Sequence, residues 1–174
     1  MRLQIKKPII IVPLKFGLIG GLLYIILFLV LHFLVLDPLS NALVPAMVLM
    51  ALFIFFSIKE FKVYYNQRKL HYWQGMTIGF INYFLFALVS FIFILLFTSI
   101  IEPEAVSDNI HHRMEMLESN KENYIEKIGS EGYQDMRDEL QKTTGLGLAF
   151  GDLLLKIIIG LFLTIIFSLI LRKH

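Results

Sequence analysis

MTIGFINYFLFALVSFIFILLFTSII, Met76–Ile101, runs for 26 residues without a charged side chain. A helix rises 1.5 Å per residue and the hydrocarbon core of a bilayer is about 30 Å thick, so ~20 apolar residues cross it. This stretch is long enough to cross with tilt or to protrude at one end. It does not alternate apolar and polar residues, which excludes the ~10-residue strands of an outer-membrane barrel. Helix is the remaining solution, because a chain in lipid must satisfy its own backbone polar groups.

Three more stretches read the same way. They are Phe16–Leu36, Leu39–Ile58 and Leu153–Leu171, the last interrupted only by Lys156. Of the 174 residues, 57% are hydrophobic and 17% charged, against about a quarter charged in soluble domains. The expected fold is therefore an all-α integral membrane domain of four transmembrane helices, arranged as two helical hairpins. A helical loop, 102–151, joins helices three and four. The first stretch is read as a retained anchor: it exceeds a signal-peptide apolar core and ends Val35-Leu36-Asp37-Pro38, without a small-x-small cleavage pattern. With no cysteine, disulfides, thiolate metal sites and cysteine nucleophiles are excluded.

Charge orients the chain. Arg2, Lys6, Lys7 and Lys15 precede or open the first span; Lys59, Lys62, Arg68 and Lys69 follow the second; Arg172 and Lys173 follow the fourth. Short basic segments stay cytoplasmic, so both termini are expected inside a bacterial inner membrane. Residues 102–151 carry five Lys/Arg against eleven Asp/Glu, a net −6, and are expected outside. Tyr64, Tyr65, Tyr72 and Trp73 flank the inner loop, where amphipathic rings settle at head-group level. The basic residues are read as orientation and attraction to lipid head groups. Nucleic-acid binding is not expected, because no basic patch on a recognised fold is present.

The acidic loop is too long to be structureless. Pro103 with Ser107 and Asp108 reads as a helix start. Ile110, Met114, Leu117, Tyr124, Ile125 and Ile128 then make an apolar stripe that Lys121 interrupts. Gly129-Ser130-Glu131-Gly132 ends that helix, and a shorter one carries Tyr133, Met136 and Leu140. The stripe either folds on the second helix or docks on a partner; it is the candidate interaction face. The acidic polar face argues against its lying on anionic lipid.

Polar groups inside spans are the default functional suspects. Here they are His32, Asn82, Asp152 and Lys156. Asp152 and Lys156 stand four apart, on one helix face, where they neutralise each other. Read at the outer start of span four, Lys156 is expected to snorkel outward or to reach Glu102. A proton or ion path through His32, Asp152 and Lys156 is the functional alternative; interface anchoring, and an interhelical hydrogen bond for Asn82, is preferred. His111 and Glu115 share an exposed face, but two ligands do not close a coordination shell, so no metal and no other cofactor is expected. No phosphate-binding Gly-Lys-Ser/Thr loop, nucleophile elbow or glycosylation sequon is present, so no enzyme is expected.

Gly17 with Gly21, Ala42 with Ala46, Gly75 with Gly79, and Gly147 with Gly151 are small-xxx-small pairs that let helices approach closely. Ile19-Gly20-x-Leu22-x-Tyr24 repeats as Ile78-Gly79-x-Ile81-x-Tyr83, and Phe56-Ser57-Ile58 resembles Phe167-Ser168-Leu169. Two related hairpins about an axis along the membrane normal would give this pattern.

Lys15-Phe16-Gly17-Leu18-Ile19-Gly20-Gly21, Phe56-Ser57-Ile58-Lys59-Glu60-Phe61 and Tyr72-Trp73-Gln74-Gly75-Met76-Thr77-Ile78-Gly79 carry a further resemblance, with the acidic helical insert and Ser168-Leu169-Ile170-Leu171-Arg172-Lys173. Together they resemble a domain-of-unknown-function family of small four-span membrane proteins abundant in Bacteroidota. The resemblance implies a bacterial inner-membrane protein and carries over no activity. The expected role is a non-enzymatic accessory or structural subunit that recognises a membrane or periplasmic partner, or itself, through the acidic loop. The alternative is a small homo-oligomeric transporter or channel component.

Overall fold

The computed structural model describes residues 7–34 and 37–172. Arg2, Lys6, Val35, Leu36 and Lys173, used above for orientation and boundaries, lie outside them. Four helices are long and apolar enough to cross a membrane, and no strand occurs among the described residues. The protein is a multi-pass, all-helical membrane protein.

Helix α1 is Pro8–Phe33. A four-residue turn, α2 (Pro38–Asn41), is capped by the Asp37 carboxylate, which accepts from the Leu39 N–H at 3.0 Å. Helix α3 (Leu43–Glu60) runs into a π-helical turn at Phe61–Tyr65. Helix α4 (Tyr72–Leu96) does the same at Phe97–Ile101. Then come α5 (Glu104–Ser119), α6 (Lys121–Gln141) and α7 (Gly145–Ile170).

Several of these bounds depart from the uncharged runs, among them the start of α4 at Tyr72, and three of the starts have clear local reasons. Helix α1 begins eight residues before Phe16, because Lys15 remains helical: its ammonium meets the Glu60 carboxylate at 2.7 Å. Helix α3 begins at Leu43 rather than Leu39, because Asp37 caps a separate turn first. Helix α7 begins at Gly145 rather than Leu153, where the Thr144 hydroxyl caps it by accepting from the Gly147 N–H at 3.1 Å. Gly145 packs on Thr98 and Gly160 on Tyr83, whereas Gly147 and Gly151 are exposed and meet no other helix, so the close approach expected of that pair does not occur.

Helix α4 is the hub. It packs most heavily on α7 and then on α1, while α3 bridges all three. The second expected hairpin, α4 with α7, is thus the most heavily packed pair, whereas α1 packs more on α4 than on its own hairpin partner α3. The contacts are close: a Cβ on Gly17 would stand 2.8 Å from the Asn82 carbonyl oxygen, and one on Gly160 2.5 Å from the Tyr83 ring. Small residues here let backbones meet, which is how helices associate where lipid supplies no hydrophobic drive. At the end away from α5 and α6, Lys62 Nζ donates to the Leu171 carbonyl at 2.9 Å and ties α3 to α7.

Helices α5 and α6 form a cap over the other end. The single helix expected through Ile128 is broken earlier, at Asn120, whose side-chain amide donates to the Met116 carbonyl at 3.0 Å. The chain then reverses, and α6 packs on α5. Gly129, at φ 78° and ψ 170°, is non-helical, so α6 is two helical segments meeting at a kink, and the break expected at Gly129-Ser130-Glu131-Gly132 does occur. A side chain there would be strained, although the space around it is open. Leu117, Tyr133 and Leu140 form the cap's own core, with Met114, Tyr124 and Ile125 packed against it. Asn109 fastens α5 to the bundle by donating to Asp37 Oδ2 at 2.7 Å and to Ser40 Oγ at 2.9 Å.

Candidate functional site

The buried face of α7 is Ala149, Lys156, Gly160, Thr164 and Ser168, nearly a four-residue period. A lysine on that stripe points into the bundle, against α4. Lys156 lies near the middle of the 26-residue helix, and its side chain is 1% exposed. It therefore neither snorkels nor reaches Glu102. The expectation placed it at the end of a span because the uncharged run starts at Leu153; the helix starts eight residues sooner.

The Lys156 ammonium donates to both Asp152 oxygens, at 2.7 and 2.6 Å, and to Ser90 Oγ at 2.5 Å. The Ser90 hydroxyl in turn donates to Asp152 Oδ2 at 2.8 Å. The ring of Tyr24 closes the site, its centroid 3.8 Å from Nζ. Three helices contribute: α7 the ion pair, α4 the serine, α1 the ring. Counted from Gly145, Lys156 is about 16 Å along α7, roughly half the bilayer core. A charge at such depth needs partners, and here all three donor directions of the ammonium face a carboxylate, a hydroxyl or a π cloud.

Asp152 is also the floor of a cleft. A cavity of about 640 Å³ opens at the cap end of the bundle. One wall is Leu39, Ala42 and Leu43 at the start of α3; the other is Gly147, Leu148, Gly151 and Leu155 on α7. Tyr24, Phe28 and Ile94 form the back, and α5 and the α6–α7 junction roof it with Asn109, Arg113, Met116 and Lys142–Thr144. The cleft is a wedge: at the opposite end of the same two helices, Phe55 and Phe167 are in ring contact at 5.6 Å. A Cβ on Gly151 would meet nothing within 4 Å, so this part of the wall faces open space.

The remaining candidates lie apart from this site. His32 faces Glu102, at 3.4 Å, near the cap end of α1. Between His32 and Tyr24 stand the rings of Phe97 and Phe28, in successive contacts of 5.3, 4.9 and 6.1 Å. Along that ladder, the two rings between His32 and Tyr24 neither donate nor accept a proton. Asn82 is fully buried and donates to the Phe53 carbonyl of α3 at 3.4 Å. Of the apolar stripe, Met114, Leu117, Tyr124 and Ile125 turn into the cap, Ile110 is half-buried, and Ile128 is 42% exposed. His111 and Glu115 are exposed on α5, and no cluster of three or more potential metal ligands occurs among the described residues. Ser90 and Tyr24 were not singled out as partners of the pair. The signal for Ser90 was available, since Asn82, Phe86 and Ser90 repeat every four residues on the inward face of α4.

A four-span helical bundle, with an intramembrane ion pair at the floor of a capped cleft, defines the class: a small multi-pass membrane protein. The chain belongs to the family described as "Protein of unknown function (DUF4199)", whose model matches residues 15–173. No curated protein and no solved structure matches it.

Proposed function

We propose that the protein is a non-enzymatic, ligand-handling component of a bacterial inner membrane, of the small transporter or channel class, and that the cleft is its working site. The observation that carries this reading is Asp152: a carboxylate held by Lys156 and Ser90 deep in the bundle, yet lining a cavity open toward the cap. Intramembrane ionisable groups mark ligand and ion pathways, and concave, mostly apolar pockets of about 300–1,000 Å³ are where ligands bind. The cap supports the reading. Long insertions in compact domains are usually lids or binding segments, and this one supplies the roof.

The test is flux of H⁺, Na⁺, K⁺ and Cl⁻ in proteoliposomes. Wild-type protein is expected to carry at least one of these, and Asp152→Asn or the cleft-filling Gly151→Phe to stop it. Wild-type flux no greater than that of protein-free liposomes for all four ions overturns the reading.

A second reading is favoured by a different observation. The cap is a preformed helical unit, and 102–144 carries five basic and eleven acidic side chains. Such a surface suits recognition of a basic partner, as an accessory subunit would do. Deleting 106–141 is then expected to abolish co-purification of a partner from native membranes while insertion persists. An unchanged set of co-purifying proteins retires it.

In this proposal both termini are cytoplasmic and the cap is periplasmic, as the basic loops direct. A cysteine replacing Glu118 is expected to react with a membrane-impermeant reagent added outside, and one replacing Asn66 to be protected. The opposite labelling inverts the topology.

A further inference from the structure

We infer that the cleft holds one phospholipid of the cap-side leaflet, selected for an anionic head group. The inference rests on the reading that the cleft is the working site. Its first ground is shape. The wedge between α3 and α7 reaches from Thr144 at the rim to Leu155 near its floor, about 16 Å of helix and so roughly one leaflet deep. Its walls are Phe28, Leu43, Ile94 and Leu155. Lipid chains are the solvent at that depth, and an empty apolar wedge forfeits the dispersion contacts that a chain would supply.

Its second ground is charge at the rim alone. Arg113 and Lys142 are exposed, line the mouth, and make no side-chain hydrogen bond or ion pair among the described residues. They are two of only five basic residues in an acidic cap, and both stand over the cleft. A guanidinium and an ammonium at one rim suit a phosphate: the first offers a planar fork of donors, the second a point charge. The charge of Asp152, about 12 Å of helix below Thr144, is already matched by Lys156. The cleft is thus cationic at head-group level, apolar along its length and neutralised at its floor, the polarity profile of an anionic phospholipid.

Native mass spectrometry of the full-length protein in detergent tests this, with phosphatidylglycerol, phosphatidylcholine and soluble glycerol phosphate as probes. One phosphatidylglycerol per chain is expected to be retained about tenfold more tightly than phosphatidylcholine. The pair Arg113→Ala and Lys142→Ala is expected to remove that preference, and Gly151→Phe to remove bound lipid of either kind. Equal retention of the two lipids by the wild-type protein overturns the role of charge, and needs no variant to fold. Glycerol phosphate binding as tightly as the lipid overturns the role of the wedge. Ion flux with no lipid preference sinks this inference and leaves the proposed function standing; lipid preference with no ion flux does the reverse.

Discussion

In α7, Lys156, Gly160, Thr164 and Ser168 face the protein interior, while Leu154, Ile158, Phe162 and Ile166 face outward, each 45–62% exposed. In the cap the arrangement is inverted: Leu117, Tyr133 and Leu140 turn inward, and Glu118, Glu122, Glu126 and Glu131 turn out. Both regions are helical and part of one chain, so helix propensity is not the difference. The solvent is. In water, burying apolar surface drives packing. In lipid the surroundings are as apolar as leucine, so close backbone approach and polar contacts hold the helices. The molecule thus has two cores of opposite composition, and they should fail in different ways.

The largest effect is expected at the ion pair. Asp152→Asn leaves the Lys156 ammonium buried without its carboxylate and is expected to destabilise the bundle by about 3–5 kcal/mol. Pairing Asp152→Leu with Lys156→Met removes both charges and is expected to recover most of that loss. Thermal unfolding in detergent measures both, and a double variant no better than the single one would show that charge pairing is not what Asp152 contributes. Next comes the cap core. Leu117→Ala is expected to cost about 2–3 kcal/mol, below the upper range for core leucines because the cluster is small. Hydrogen exchange should then rise across 104–141 and stay unchanged in α4 and α7. Exchange rising throughout would mean that the two cores are one cooperative unit.

Smaller effects test the seams. Gly129→Ala is expected to cost about 1–2 kcal/mol, because φ of 78° strains an L residue even where space is open. Gly129→Asn should lose about as much, because the positive φ that Asn tolerates belongs to the left-handed helical region and a ψ of 170° lies outside it; a much smaller loss for Asn would move the cause away from backbone strain. The smallest change is expected for Lys15→Ala. Its 2.7 Å contact with Glu60 joins α1 to α3, but the lysine side chain is 47% exposed, so the loss should stay below about 1 kcal/mol. A larger loss, read by the same unfolding assay, would place that contact in a less polar setting than its exposure indicates.

Much of the site was legible along α7 itself. The four-residue spacing pairs Asp152 with Lys156, and the series Lys156, Gly160, Thr164, Ser168 marks the inward face. The length of the uncharged run hid this, because it started the span at Leu153 and set the lysine at its edge. Partners from other helices were not legible. Ser90 is 66 residues from Lys156 in sequence, and only the packing of α4 on α7 brings it within hydrogen-bond reach. In the cap, periodicity identified the apolar residues, but Asn120 ended the helix that was to carry them, and the stripe folded onto α6.

What the residues determined unaided was the solvent of each segment. Four long uncharged runs can satisfy their backbones in lipid only as helices, and a segment dense in carboxylates can lie only in water. Arrangement was decided by the tertiary structure. Which helix becomes the hub, where α3 and α7 part, and which side chains meet Lys156 depend on shape complementarity between distant segments. Hydropathy is a property of each residue alone and carries no information about that fit.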